Sequence, residues 1–66
     1  MKIEDIRAPL DYRYERLIAG VLARGRIDVS RVYKKNGRWW VQGADHKLNR
    51  NITLQPGQIK ARAKPR

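Results

Sequence analysis

The dipeptide Asn36-Gly37, set between two runs rich in β-branched and aromatic residues, constrains this chain more than any other feature. Both central residues of a type I′ turn need a positive φ, which Asn tolerates and Gly adopts freely, so the pair marks a β-hairpin over residues 26–43. A two-residue turn fixes the register: Lys35 faces Arg38, Lys34 faces Trp39, Tyr33 faces Trp40 and Val32 faces Val41. Because side chains alternate along each strand, Ile27, Val29, Tyr33 and Trp40 share one face, and Ser30, Val32, Lys34, Trp39 and Val41 share the other. The adjacent tryptophans then point to opposite sides of the sheet. The first face is the more apolar, so Trp40 is expected against the core and Trp39 outside it.

Sixty-six residues make one domain, close to the lower size limit for a chain that folds without disulfides or metal. There is no cysteine, which removes disulfide frameworks and zinc ribbons and fits a reducing compartment. His46 stands alone and reads as a surface turn residue, so neither a metal nor another cofactor is expected. The opening Met1-Lys2-Ile3-Glu4-Asp5 is charged and leads into no apolar run. Neither a signal peptide nor a membrane span is expected, and the chain is placed in the cytoplasm, bound to nucleic acid or the nucleoid, with no membrane partner.

Sixteen Lys and Arg against six Asp and Glu give a net charge of +10, above the magnitude of roughly 2 to 8 that serves solubility in a small domain. A polyanionic partner compensates such self-repulsion, nucleic acid first, anionic lipid or an acidic protein surface behind it. Glu4, Asp5, Asp11 and Glu15 all fall within the first fifteen residues, which leaves the positive charge over the hairpin and the C-terminal end.

Residues 1–9 form a lead-in, one helical turn or a short strand, that ends at Pro9. Beyond it Leu10, Tyr14, Leu17, Ile18, Val21 and Leu22 recur at the i, i+3, i+4, i+7 spacing of an amphipathic helix. Asp11 suits its N-cap and Gly25 its C′ position, which predicts a helix over residues 12–24. After the hairpin, residues 47–54 alternate as a third strand. Pro56-Gly57 suggests a type II turn, residues 59–61 a short edge strand, and residues 62–66 a basic tail. The expected fold class is therefore α+β: one N-terminal amphipathic helix packed on an antiparallel sheet of three to four strands within a single domain over residues 10–61. A small barrel or a winged-helix arrangement is the alternative.

No nucleophile motif, P-loop or spaced acid-histidine set is present, so the chain is not expected to be an enzyme. Binding has more to stand on. Phosphates need cationic partners and bases need aromatic or amide ones. Arg31, Lys34, Lys35, Arg38, Lys47, Arg50, Lys60 and Arg62 supply the first, and Trp39, Asn49 and Asn51 the second. The expected function is a small regulatory or architectural DNA-binding protein that presents its hairpin face. RNA or single-strand binding is the alternative within the same class; an inhibitor or adaptor docked on an acidic protein is the alternative outside it. A homodimer through an edge strand is open. Were the two hairpin faces reversed, the binding surface would be built on Tyr33, Trp40 and Arg31.

Overall fold

The computed structural model describes residues 1–63, and among these the only helical elements are two 3-10 turns, Ile3–Asp5 and Pro56–Gln58. Strands β1 (Asp11–Ile18), β2 (Val21–Lys35), β3 (Arg38–Asp45), β4 (Arg50–Leu54) and β5 (Ile59–Arg62) form one antiparallel sheet in the order β4-β3-β2-β1-β5.

The α+β expectation is thereby corrected, and the winged-helix alternative with it. The stretch expected to be helical is β1, a two-residue turn and the start of β2. Ala19 and Gly20 in that turn both have positive φ, 50° and 79°, which matches the needs of a tight hairpin. Two tyrosines carry the change. Tyr12 and Tyr14 alternate with Arg13 and Glu15, and both are buried, opposite Ile27 and Gly25. One side of β1 pairs with β2 along the strand and the other with β5 over residues 12–14, so its backbone groups find partners there without a helix. Gly25 is not a helix stop. A Cβ there would lie 2.6 Å from the Tyr14 hydroxyl oxygen, so the missing side chain makes room for the ring. Asp11 opens β1 rather than capping a helix, and Leu17, Ile18, Val21 and Leu22, expected in the core, lie exposed around the turn.

The second hairpin forms as its turn residues require. Asn36 and Gly37 have φ of 52° and 76°, and the pairs from Lys35 with Arg38 to Val32 with Val41 are those expected. Gly37→Val places a β-branched residue at a φ it resists, and is expected to cost roughly 1 kcal/mol or more. A thermal melt indistinguishable from that of the parent would contradict this.

Further along, the ladder slips by one residue between Val29 and Arg31, and Ser30 is the extra residue of a β-bulge. Its hydroxyl donates to the Gln42 carbonyl at 3.1 Å. The slip reverses the faces assigned to the C-terminal half of β2. Ile27 and Val29 point into the core, and beyond the bulge Val32 and its partner Val41 continue that row. Tyr33 and Trp40 consequently face out, and the expectation that Trp40 joins the core is corrected. Trp39 remains exposed, although it lies on the inward row, past the end of the core.

The chain curls this sheet upon itself. Laid flat, five strands would hold β4 and β5 about 19 Å apart. Yet the link between Leu54 and Ile59 is a 3-10 turn, which at about 2 Å rise per residue spans only roughly 13 Å with its flanks. One face is thus rolled inward, and Tyr12, Tyr14, Ile27, Val29, Val41, Ile52, Leu54 and Ile59 meet there in a single cluster drawn from all five strands. The lead-in closes it. Ile6 is buried in the cluster, Ile3 and Leu10 pack against it, and the Tyr12 hydroxyl donates to the Asp5 carbonyl at 3.1 Å and accepts from the Arg7 amide at 2.9 Å.

Two smaller expectations also change. Pro56-Gly57 is not a type II turn. Gln55 and Gln58 cap each other around Pro56–Gln58, and Gly57 is not among the positive-φ glycines. The tail begins later than residue 62, because Arg62 belongs to β5 and the buried Ala63 donates its amide to the Asp11 carbonyl at 3.0 Å. The remainder of the expected basic tail, residues 64–66, lies outside the described residues.

Candidate nucleic-acid interface

The bulge at Ser30 and the type I′ turn together decide what the outer face of β2, β3 and β4 carries. Tyr33 and Trp40 sit side by side as a directly opposed cross-strand pair, both half-buried by their neighbours. One pair back, Arg31 lies opposite Gln42. Its Nε donates to Gln42 Oε1 at 2.6 Å, and its guanidinium carbon stands 4.5 Å from the centre of the Tyr33 ring. One pair forward, Lys35 opposes Arg38 at the turn. Tyr33, Lys35, Asn36, Arg38, Trp40 and Thr53 line an open depression of about 470 Å³. None of them is acidic, so the site joins two aromatic rings to two cations with no internal neutralisation. Elsewhere two acids are paired: Asp11 lies 3.4 Å from both Arg26 and His46, and Glu15 lies 3.2 Å from Arg24.

The residues named from sequence fall in five places. Arg31, Lys35 and Arg38 are brought together here. Lys34 and Trp39 are a neighbouring pair on the inward row, with the ammonium 5.8 Å from the indole ring, and Trp39 and Arg38 share a groove with Gln55, Pro56 and Gly57. Asn51 faces out on β4, opposite Ala44, a full turn of the pleat and more from Trp40. Lys47, Asn49 and Arg50 surround the β3–β4 turn at the far end of β3, and Asn49 takes a φ of 53° there. Lys60 and Arg62 lie on β5, on the other side of the sheet order; Lys60 Nζ donates to the Gly57 carbonyl at 3.2 Å. Gln42 and Thr53 were missing from the residues named from sequence, and Tyr33 and Trp40 entered there only as the surface for reversed faces. The signal for them was parity beyond a bulge, which residue types alone do not announce.

The far end is held by Asp45. This residue is buried at the end of β3, where its Oδ1 accepts from the amides of Lys47 and Leu48 at 2.8 Å each, and its other oxygen accepts from the Tyr14 hydroxyl. Burial pushes the carboxyl up, but the Tyr14 hydroxyl, the two amides and the nearby Arg16 charge outweigh it and hold the group below its usual range. The same pairing, after burial itself, helps push Tyr14 up to about 12. Asp45 therefore shapes the turn that carries Lys47 and Asn49, and is itself closed to a ligand.

No protein-family model, curated protein or solved structure matches this chain.

Proposed function

We propose that the protein binds single-stranded nucleic acid on the outer face of β2, β3 and β4. The observation that carries this reading is the outward Tyr33 and Trp40 pair, bordered by Arg31, Lys35 and Arg38 with no acid in its lining. Bases are stacked by aromatic rings and by guanidinium planes, and phosphates are held by the surrounding cations. Arg31 is pre-positioned over Tyr33 by Gln42, and Thr53 adds a polar group on the neighbouring strand. Such a face binds with little regard for base identity, since every base has a π face. The net charge of +10 speeds encounter with any polyanion.

Duplex DNA is the second reading, and one observation favours it. Beyond Val41 and Leu54, β3 has no β4 partner, so the last pairs of the β2–β3 hairpin form a two-stranded finger tipped by Lys34, Lys35 and Arg38. The major groove accepts a ribbon of this kind.

Binding to fluorescent single-stranded DNA, RNA and duplex DNA, measured across salt concentrations, separates the readings. Single strands are expected to bind more tightly than duplex, with log K falling against log salt at a slope of about −2 to −3, since each phosphate contact on a single strand contributes about −0.7. Tighter duplex binding would transfer the function to the finger. No binding to any nucleic acid at low salt would leave the docking on an acidic protein.

A further inference from the structure

Among the described residues, no third strand flanks residues 15–24 of the sheet. β5 meets β1 only over residues 12–14, and β3 meets β2 only from Ile27 onward, so the end of the β1–β2 hairpin is a two-stranded ribbon. That end is apolar. Leu17, Ile18, Val21 and Leu22 are 72%, 48%, 67% and 49% exposed, and the turn between them is Ala19-Gly20, so residues 17–22 contain no polar side chain. Single exposed apolar residues are ordinary on a protein surface; a contiguous cluster marks an interaction site. Here the register adds a constraint. Leu17 lies opposite Leu22, and Ile18 lies opposite Val21. Successive pairs point to opposite faces of a ribbon. An end apolar on one face suits a flat partner surface, whereas an end apolar on both faces is covered only by something that surrounds it.

Cations begin one step behind. Arg16 adjoins Leu17 but lies back over the Tyr14 ring at 5.7 Å with its Nε buried, whereas Arg24 follows Leu22 after Ala23, and Lys60 of β5 lines a groove shared with Leu17 and Leu22. The one carboxylate of this ribbon, Glu15, is paired with Arg24. At about 3.3 Å per residue the apolar end reaches roughly 7 to 10 Å beyond these charges. That matches the depth of about 5 to 10 Å to which apolar faces of interfacial segments enter the boundary between headgroups and acyl chains.

We propose that the tip of the β1–β2 hairpin inserts into the surface of an anionic lipid bilayer, with Leu17, Ile18, Val21 and Leu22 among the outer acyl carbons and Arg24 and Lys60 at the headgroup phosphates. Charge complementarity selects this occupant. A second copy of the chain carries the same +10 and repels the first. A base step is too thin, because wedges that part bases are single side chains, whereas this ribbon carries side chains on both faces and is about 10 Å thick. The contact is peripheral; among the described residues no helix is long and apolar enough to cross a membrane. The expectation of no membrane partner rests on the lack of an apolar run after the charged opening, and the exposure of these four residues at the tip is what alters it.

The chain has no cysteine, so a Val21→Cys variant of the full chain labelled with an environment-sensitive fluorophore reports the tip alone. With vesicles of phosphatidylglycerol and phosphatidylcholine the emission is expected to shift to the blue, and with phosphatidylcholine alone to stay in place. In vesicle flotation, Leu17→Ser combined with Leu22→Ser is expected to weaken binding to the anionic vesicles by about tenfold or more while leaving the thermal melt unchanged. An unshifted probe overturns the proposal, as does vesicle binding that the double variant retains in full, which charge alone would explain. A blue shift produced by a single-stranded oligonucleotide instead of vesicles also overturns it and assigns the tip to nucleic acid.

Discussion

Asp45→Ala is expected to abolish or nearly abolish cooperative folding. The buried carboxylate is the acceptor for three donors, the Tyr14 hydroxyl in the interior and the part-buried amides of Lys47 and Leu48. A buried donor left without an acceptor costs about 1 to 3 kcal/mol, and with the two turn amides losing their acceptor as well a loss of about 3 kcal/mol is expected. Against a total stability of roughly 3 to 10 kcal/mol for a chain of this size, that is most or all of it. Asp45→Asn retains an oxygen for the two amides and is expected to cost less. Urea denaturation followed by circular dichroism measures both. The pH dependence has a definite sign. Asp45 titrates lower in the folded chain than its ordinary value of 3.8, so its stabilisation is complete above that value and is lost as pH falls through the lower, folded one. Tyr14 is raised from 10.0 to about 12, so what its protonated hydroxyl contributes is complete below pH 10 and is lost as pH climbs towards 12. Asp45→Asn should flatten the acid limb, and Tyr14→Phe the alkaline one.

Gly43→Ala is expected to be almost as damaging, and its effect reaches the binding face. Gly43 is buried opposite Val29, immediately beside the bulge, and a Cβ there would collide with the Asp28 carbonyl on the neighbouring strand. Backbone cannot swing aside as a side-chain end can, so β2 and β3 must part or the bulge must move. Overpacking costs about 1 to 3 kcal/mol in ordinary cores, and this backbone clash belongs at the top of that range or beyond it. Because the bulge turns Tyr33 and Trp40 outward, any folded Gly43→Ala protein is expected to bind oligonucleotide more weakly as well. A variant with the parent's melting temperature and affinity would show that the strands do not approach as described.

The contrast between the two hairpins explains how much could be read beforehand. Asn36-Gly37 declares its turn, because both residues suit positive φ, and the register near it follows by counting. Ala19-Gly20 makes an equivalent turn with an alanine at φ 50°, a conformation uncommon for a residue with a Cβ. Without that landmark the spacing of Leu10, Tyr14, Leu17 and Ile18 resembled a helical stripe. The alternation of Tyr12 and Tyr14 with Arg13 and Glu15 was present in the same residues and carried the opposite message. Which of the two wins depends on whether partners exist for both edges of the strand, and β5, more than forty residues along the chain, supplies one of them. The site was legible in kind but not in placement. Arg31, Lys35 and Arg38 were named, but the aromatic pair beside them was assigned to the core, since a single bulged serine reverses inside and outside for every later residue of β2.

The two tryptophans test the account most directly. Titrating an unstructured oligonucleotide into Trp40→Ala, Trp39→Ala and parent proteins, at one salt concentration and with folding checked by circular dichroism, compares two adjacent residues of similar chemistry on opposite faces of β3. Trp40→Ala is expected to stay folded, because Trp40 lies outside the core cluster, and to lose roughly 1 to 3 kcal/mol of binding, about tenfold to a hundredfold. Trp39→Ala is expected to change affinity by about twofold at most, since its ring lies on the inward row beside Lys34 and Pro56. A large loss with Trp39→Ala and none with Trp40→Ala would contradict the placement of the binding surface on the outer face.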